Sequence, residues 1–250
     1  SVAHYIHVNY PQYKVLPYLA ETLERGPKKV VLQDKIFTPF QKPDTDGKPY
    51  CVIVCDNATL ERMIGLEYYQ NATASIVIDH HASNEGYGDV NWTVVSEACA
   101  ENVYHMLDPE CLRKASETEE HPTAADYIYL GIAHDTGGMA RAKKSTLLAL
   151  VDLMSMGVNH GKIMKTLHSD TLDTLNKRGD IIRSARRAME GKVAYVIMDA
   201  REHTEKKSSM RIFTVSVRFC VTVMILNLDL RCMKKTKMYG DVLSVQTENG

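Results

Sequence analysis

The chain has 250 residues, 44% of them hydrophobic, and its 30 basic and 31 acidic side chains give a formal net charge of −1. This length is enough to bury a sizeable core in one large domain, or in one domain with a smaller lobe. The balanced charge excludes a global field for tight non-specific binding to long nucleic acid, while a local basic patch stays open. No apolar run approaches the roughly 18 residues of a membrane span, and no secretory leader opens the sequence, so we expect a cytoplasmic protein.

Short apolar runs alternate with helical patterns in the first part of the chain. The runs "HYIHV", "KKVVL", "YCVIVC" and "SIVI" predict strands, whereas "YKVLPYLAETLERG" and "LERMIGLEYY" predict helices. Residues 37–50 carry three prolines and a glycine and are expected to form a surface loop. Apolar strands separated by amphipathic helices are typical of a parallel sheet with both faces covered.

The hydrophobic pattern changes twice in the second part of the chain. From Ser96 to Gly191 the pattern is helical almost throughout, and from "KVAYVIMDA" onwards β-branched residues alternate with polar ones. We therefore predict an α/β fold in which residues 1–190 form a parallel sheet flanked by helices. Residues 191–250 are expected to form a small α+β lobe. The six cysteines show no C-x2-C pairs and are expected to stay reduced.

Polar side chains follow the apolar elements at three places. Asp56 follows "CVIVC", Asp79, His80 and His81 follow "SIVI", and Asp135 follows "YIYLGIAH". Side chains just past the carboxyl ends of parallel strands converge on one crevice, so these residues are expected to meet. Carboxylate oxygens and imidazole nitrogens suit an open Mn²⁺, Zn²⁺ or Fe²⁺ site that retains water, and such sites hydrolyse phosphate esters.

The same residues carry a resemblance to a known family. "VIVCDNA", "IDHH" and "GIAHDTG", in this order and spacing, resemble motifs II, III and IV of the DHH phosphoesterases. The resemblance is closest to the nano-RNase and pAp-phosphatase (NrnA-like) branch, in which a DHHA1 domain follows the DHH domain. It extends over about residues 50–200. It implies hydrolysis of short oligoribonucleotides or of 3′-phosphoadenosine 5′-phosphate (pAp), with two Mn²⁺ ions in the family.

The resemblance also implies a role for each motif residue. Asp56 matches the aspartate that bridges the two ions, His80 matches a histidine that binds one of them, and Asp135 matches the acid that completes its ligand set. His81 matches the histidine that faces the scissile phosphate. Asp79 is expected to orient the loop and the imidazole from behind the ligands.

Motif I, H-x-x-P-D-x-D in the family, departs from the pattern. The counterpart "HVNYPQYK" retains His7, a further candidate ligand or else a core histidine, but places Gln12 and Lys14 where the aspartates belong. Our hypothesis is that the chain binds at most one Mn²⁺ tightly and that its activity is impaired. The glycine-rich G-G-G-H stretch of the DHHA1 lobe has no match either.

Several alternatives stay open at the level of sequence. Gly137 and Gly138 offer backbone N–H groups to a substrate phosphate, or they form a plain helix C-cap. The activity is that of a phosphoesterase on short RNA or pAp, that of a cyclic-dinucleotide phosphodiesterase, or that of a catalytically impaired nucleotide-binding relative. The expected partners are the nucleotide substrates, and a homodimer is left open.

Overall fold

The computed structural model describes residues 1–19, 23, 25–38, 40–120, 122–188, 193–198 and 222–227. The chain divides into two compact units, residues 1–169 and 170–250. This division lies before the position near residue 190 at which the sequence changes texture. No helix in the described ranges combines the length and apolar character that a membrane crossing requires.

The first unit contains eight α-helices and three strands among its described residues. In chain order they are α1 (Val2–Asn9), α2 (Arg25–Val31), β1 (Cys51–Cys55), α3 (Leu66–Gln70), β2 (Ala74–Asp79), β3 (Val90–Thr93), α4 (Cys99–Met106), α5 (Pro109–Lys114), α6 (Ala124–Asp135), α7 (Lys144–Ser155) and α8 (His160–His168). A short 3-10 helix covers Leu60–Arg62, between β1 and α3.

The strands of the first unit form a parallel sheet in the order β1-β2-β3. Cys55, the last residue of β1, is in register with Ile78, and Asp79, the last residue of β2, is in register with Thr93 of β3. The carboxyl ends of the three strands therefore reach the same edge of the sheet. Helices flank this sheet, and the predicted α/β fold is confirmed.

Helices α4 and α6 pack closely together over the sheet. Ala124, Ile128 and Ile132 of α6 are fully buried, and Val77 and Ile78 of β2 are almost as deeply buried. Gly131 lies at the contact between the helices, because a Cβ at this position would come within 2.7 Å of Ala100 Cβ. At its first turn, α6 is fixed by a capping box in which Thr123 and Asp126 exchange hydrogen bonds. The far end of this rigid helix is Asp135.

Two predicted strands are helices instead. "HYIHV" lies in α1, where Val2, Tyr5 and Ile6 have the i, i+3, i+4 spacing of an apolar helix face and contact the core. A short apolar run does not separate this pattern from a strand. "KKVVL" lies largely in α2, whose first turn accommodates Pro27 because the first N–H groups of a helix have no intrahelical acceptor. Among the described residues of the helix predicted over 13–26, only Arg25 and Gly26, at the start of α2, are helical.

The second unit begins with α9 (Leu172–Ser184) and continues with β4 (Arg186–Ala188), β5 (Val193–Met198) and β6 (Thr222–Asn227). Strand β4 is antiparallel to β5, and β6 is parallel to β5. The predicted strand "KVAYVIM" thus corresponds to β5. The glycine-rich DHHA1 stretch would belong to the C-terminal part of this unit. Residues 199–221 and 228–250 of that part lie outside the described residues.

Candidate metal and phosphoester site

The ends of β1 and β2 bring Asp56 and His80 together. The Asp56 amide donates to the Ile78 carbonyl at 3.0 Å, so strand pairing continues one residue beyond β1. Asp56 itself has a positive φ of 58°, an uncommon conformation for a residue with a side chain, and the chain turns there. As a result, Asp56 Oδ1 lies 3.4 Å from His80 Nε2 and 3.8 Å from His81 Nδ1.

The buried carboxylate of Asp79 holds His81 in place. Asp79 is 0% exposed, its Oδ1 lies 2.8 Å from His81 Nδ1, and its Oδ2 accepts a hydrogen bond from Asn84 Nδ2 at 2.8 Å. Burial acts to raise the pKa of Asp79, but the hydrogen bonds from Asn84 and His81 outweigh it, and the pKa is lowered. Asp79 therefore stays ionised, and the exposed imidazole of His81 keeps Nε2 for a ligand.

His80 is oriented from its opposite side by the main chain. Its Nδ1 lies 3.1 Å from the Ser96 carbonyl, an acceptor that fixes the proton on Nδ1 and leaves Nε2 directed at Asp56. The ion pair with Asp56 raises the pKa of His80 to about 9 against the smaller effect of burial, and the Ser96 carbonyl and Asp135 contribute in the same direction. Without a metal, His80 is therefore an imidazolium at neutral pH.

The donor set fits a divalent transition-metal ion. Asp56, Asp79, His80 and His81 each offer one ligand atom, and these four atoms all lie within 4.8 Å of one another. Two ligands on one ion at about 2.1 Å each are at most about 4.2 Å apart, a limit that the 3.4 Å between Asp56 Oδ1 and His80 Nε2 satisfies. Oxygen with imidazole nitrogen suits Mn²⁺, Zn²⁺ or Fe²⁺. Asp56 and His80 are the residues that would hold the ion, since His81 Nδ1 and both Asp79 oxygens are already engaged.

Asp135 lies near this cluster without being part of it. It ends α6, its side chain is partly exposed, and its carboxylate is 3.4 Å from His134 Nδ1. Its charge reaches His80, because it contributes to the raised pKa of that residue. The structure thus brings together four of the five strand-end and helix-end residues singled out from the sequence, with the fifth within electrostatic reach.

Gly137 and Gly138 form the C-terminal cap of α6. Both have positive φ, and their amides donate to the carbonyls of His134 and Ala133 at 3.0 and 2.7 Å. These N–H groups already have intramolecular acceptors in the cap, and their contact with a substrate phosphate stays a prediction.

The counterpart of motif I lies apart from the cluster. His7 is inside α1, where its ring packs edge-on against Phe37 at 5.6 Å, so it is not a strand-end ligand. Lys14 Nζ is exposed and pairs with Asp46 Oδ2 at 3.0 Å. Gln12 lies in an exposed turn. Lys14 is thus engaged with Asp46, and His7 is not among the residues of the metal cluster.

The sequence did not single out the residues that position the ligands. Ser96 and Asn84 support His80 and His81, and Asn102 of α4 donates to the carbonyls of Asp79 and Val94 at 2.9 and 2.5 Å, which pins the ends of β2 and β3. Asn84 follows the paired histidines within a glycine-containing loop, and that proximity is the signal that could have pointed to it. Asn102 and Ser96 gave no comparable signal.

Comparisons with known proteins agree with the motif assignment. No family model matches the chain. The bifunctional oligoribonuclease and PAP phosphatase NrnA of Bacillus subtilis is 27% identical over 163 residues, which cover 63% of this chain and 51% of NrnA. The chain thus spans about half the length of this curated relative. The predicted resemblance to DHH, NrnA-like proteins is confirmed.

One solved structure shows the same fold, and a second match is weaker. A crystal structure of an exopolyphosphatase-related protein from Bacteroides fragilis matches with a TM-score of 0.54 and 15% identity, covering 70% of this chain and 54% of that one. A putative family II inorganic pyrophosphatase from Methanococcus jannaschii matches with a TM-score of 0.45 and 12% identity, covering 82% and 72% of the two chains.

Proposed function

We propose that this chain, which resembles DHH-type, NrnA-like proteins, is a metal-dependent phosphoesterase. Its site is the cluster at the carboxyl edge of the sheet. The observation that carries the proposal is the convergence of Asp56, His80 and His81 on one point, with Asp79 buried behind them. We further propose Mn²⁺ as the ion. Short oligoribonucleotides and pAp are the proposed substrates, in line with the activities named for the relative in Bacillus subtilis.

The chain's own residues each have a defined task in this proposal. When bound, the metal supplies an activated water and neutralises charge on the phosphoryl oxygens. Asp56 and His80 hold it, and His80 must first release the proton from Nε2, because only the neutral imidazole nitrogen is a ligand. Asp135 contributes negative charge beside this pair, and we propose that it completes the ligand set.

His81 acts on the substrate. Asp79 accepts the Nδ1 proton, so the exposed Nε2 of His81 is left to face a phosphoryl oxygen. A buried carboxylate behind an exposed histidine fixes the orientation of the ring. The bond that breaks is the phosphorus–oxygen ester bond, and water supplies the entering oxygen.

One observation favours a weaker variant of the function. The metal cluster of the described residues contains ligands for one ion, and Gln12 and Lys14 lie apart from it. We therefore propose one tight Mn²⁺ site in this chain, with slow hydrolysis or nucleotide binding without turnover. A titration that gives two tight Mn²⁺ sites per chain contradicts this proposal.

The direct test is Mn²⁺-dependent hydrolysis of pAp and of a short RNA oligonucleotide by the chain as it stands. We expect phosphate release from pAp or mononucleotides from RNA, with loss of activity in Asp56→Asn and His80→Ala. Cyclic di-AMP in the same assay covers the cyclic-dinucleotide alternative. Mn²⁺ binding without hydrolysis of any of the three substrates would leave the binding protein as the function and overturn the phosphoesterase.

A further inference from the structure

The segment after α6 turns back on itself and returns an arginine to Asp135, beside the metal cluster. Gly137, Gly138 and Met139 have consecutive positive φ values of 64°, 68° and 71°. For Met139 this left-handed conformation carries a steric cost that glycine avoids, and such strain is retained where the surrounding structure holds it in place. The turn reverses the chain so that Arg141 comes back to Asp135.

Buried hydrogen bonds lock this turn. Thr136 is 0% exposed, and its hydroxyl donates to the Ile132 carbonyl at 2.7 Å and accepts from the Met139 amide at 3.0 Å. The Arg141 amide donates to the Thr136 carbonyl at 3.1 Å. The position of Arg141 is therefore fixed by its own backbone as well as by its side chain.

The guanidinium of Arg141 is anchored on the residue that ends α6. Its Nη2 donates to the main-chain carbonyl of Asp135, while the side chain as a whole is exposed. An arginine has five N–H donors, so this contact leaves donors for a ligand. Unlike Arg113, Arg178 and Arg183, each of which lies within 4.0 Å of an aspartate carboxylate, Arg141 forms no such ion pair among the described residues.

The charges around the site favour an anionic ligand at this arginine. Asp56 and Asp79 in the cluster and Asp135 beside it supply three carboxylates, which repel an incoming phosphate until a metal neutralises them. The exposed guanidinium of Arg141, on the main-chain carbonyl of Asp135, offers compensating positive charge. Its planar fork matches two oxygens of one phosphate, a geometry that a lysine ammonium lacks.

We propose that Arg141 is a substrate-binding residue that contacts a phosphate oxygen of the nucleotide held at the metal cluster. The inference rests on the proposed function for the identity of the ligand as a nucleotide phosphate. The contact acts on affinity: Arg141 binds the phosphate while Asp56, His80 and His81 provide the reacting groups. Arg141 therefore determines KM more than kcat.

Binding of adenosine 5′-monophosphate (AMP) in saturating Mn²⁺, measured by calorimetry, tests the proposal without depending on turnover. We expect Arg141→Gln to weaken AMP binding about 10- to 100-fold, the range of a charge-assisted hydrogen bond, and Arg141→Lys to lie in between. Adenosine, which lacks the phosphate, should bind both variants and the wild type equally. Arg113→Gln is the matched control, since it removes an exposed arginine whose partner is Asp152 of α7.

Mn²⁺ affinity and the thermal midpoint of each variant separate phosphate binding from support of Asp135. The inference is overturned if wild type and Arg141→Gln bind AMP equally, or if the wild type does not bind AMP. It is also overturned if Arg141→Gln loses as much Mn²⁺ affinity as AMP affinity. A wild type that binds AMP through Arg141 yet hydrolyses no substrate upholds it and overturns the proposed function alone. Where hydrolysis occurs, an unchanged KM in Arg141→Gln overturns the inference alone.

Discussion

The carboxyl edge of the sheet and the N-terminal segment, residues 1–19, both carry motif-like polar residues, yet only the first assembles them. At the sheet edge, Asp56 and His80 follow paired parallel strands and lie 3.4 Å apart. In the N-terminal segment, His7 is part of a helix and Lys14 pairs with Asp46 on the surface. Motif residues acquire a common site only when the backbone that precedes them ends at a common edge.

The largest expected effect concerns the ligands at the sheet edge. Asp56→Asn keeps the shape of the side chain but removes its charge, so we expect Mn²⁺ affinity to fall by at least about 100-fold. Isothermal titration with Mn²⁺ measures this loss. Asp173→Asn on α9, where the carboxylate pairs with Lys177 at 2.8 Å, is the control and should bind Mn²⁺ as the wild type does. Retention of wild-type affinity by Asp56→Asn would remove the metal site from this edge.

The next largest effect tests the buried support behind His81. Asp79→Asn replaces the anion that faces His81 Nδ1, and we expect turnover to fall about 10- to 100-fold while Mn²⁺ affinity changes less. Asp89→Asn is a matched control, because Asp89, just before β3, accepts two hydrogen bonds at 2.8 Å from Ser75 near the start of β2. Both variants should lose stability, but only Asp79→Asn should change the ¹⁵N chemical shift of His81 Nδ1 at a fixed pH, because only this substitution changes its hydrogen-bond partner. An unaltered Nδ1 shift would show that Asp79 does not orient this histidine.

The two regions also differ in how far the sequence predicts them. The strand-end residues were predictable because the apolar runs of β1 and β2 are rich in valine and isoleucine, which favour strands, and parallel pairing then dictates where Asp56 and Asp79 lie. Residues 4–8 and 28–32 were not predictable, since a five-residue apolar run fits a strand and a helix equally well. Arg141 was not predictable because its position depends on three consecutive residues with positive φ. One of them is a methionine, for which no local sequence pattern predicts this conformation.

Two histidines extend the comparison to pH. Burial lowers the pKa of His4 in α1 to about 4, whereas the ion pair with Asp56 raises the pKa of His80 to about 9. The pKa of histidine in the unfolded chain is near 6.5. His4 therefore destabilises the fold as pH falls from about 6.5 to 4, because the unfolded chain binds a proton that the buried ring does not bind. The His80 contribution is fully present below about pH 6.5 and is lost as pH rises through about 9.

Denaturant unfolding of the metal-free protein between pH 4 and 10 measures both contributions. We expect His4→Leu to flatten the acidic side of the stability profile, and His80→Ala to flatten the alkaline side. The two substitutions act through different partners, Asp34 at 3.2 Å from His4 and Asp56 at 3.4 Å from His80, so their effects should add. The assigned pKa directions would be contradicted if His4→Leu changed the alkaline side and His80→Ala the acidic side, or if neither variant changed the profile.

The smallest expected effect is the sharpest test of the N-terminal segment. If residues 12 and 14 stood in a motif I geometry, Gln12→Asp with Lys14→Asp would supply two new ligands and raise Mn²⁺ affinity severalfold. Because Lys14 is instead exposed and paired with Asp46, we expect the double variant to keep Mn²⁺ affinity within about twofold and to lose at most about 1 kcal/mol of stability. Gln41→Asp with Lys42→Asp gives the same change of charge at two exposed positions and should behave alike. A large gain in Mn²⁺ affinity confined to the double variant would mean that this segment approaches the sheet edge when metal is present, and the contrast between the two regions would then hold only for the metal-free protein.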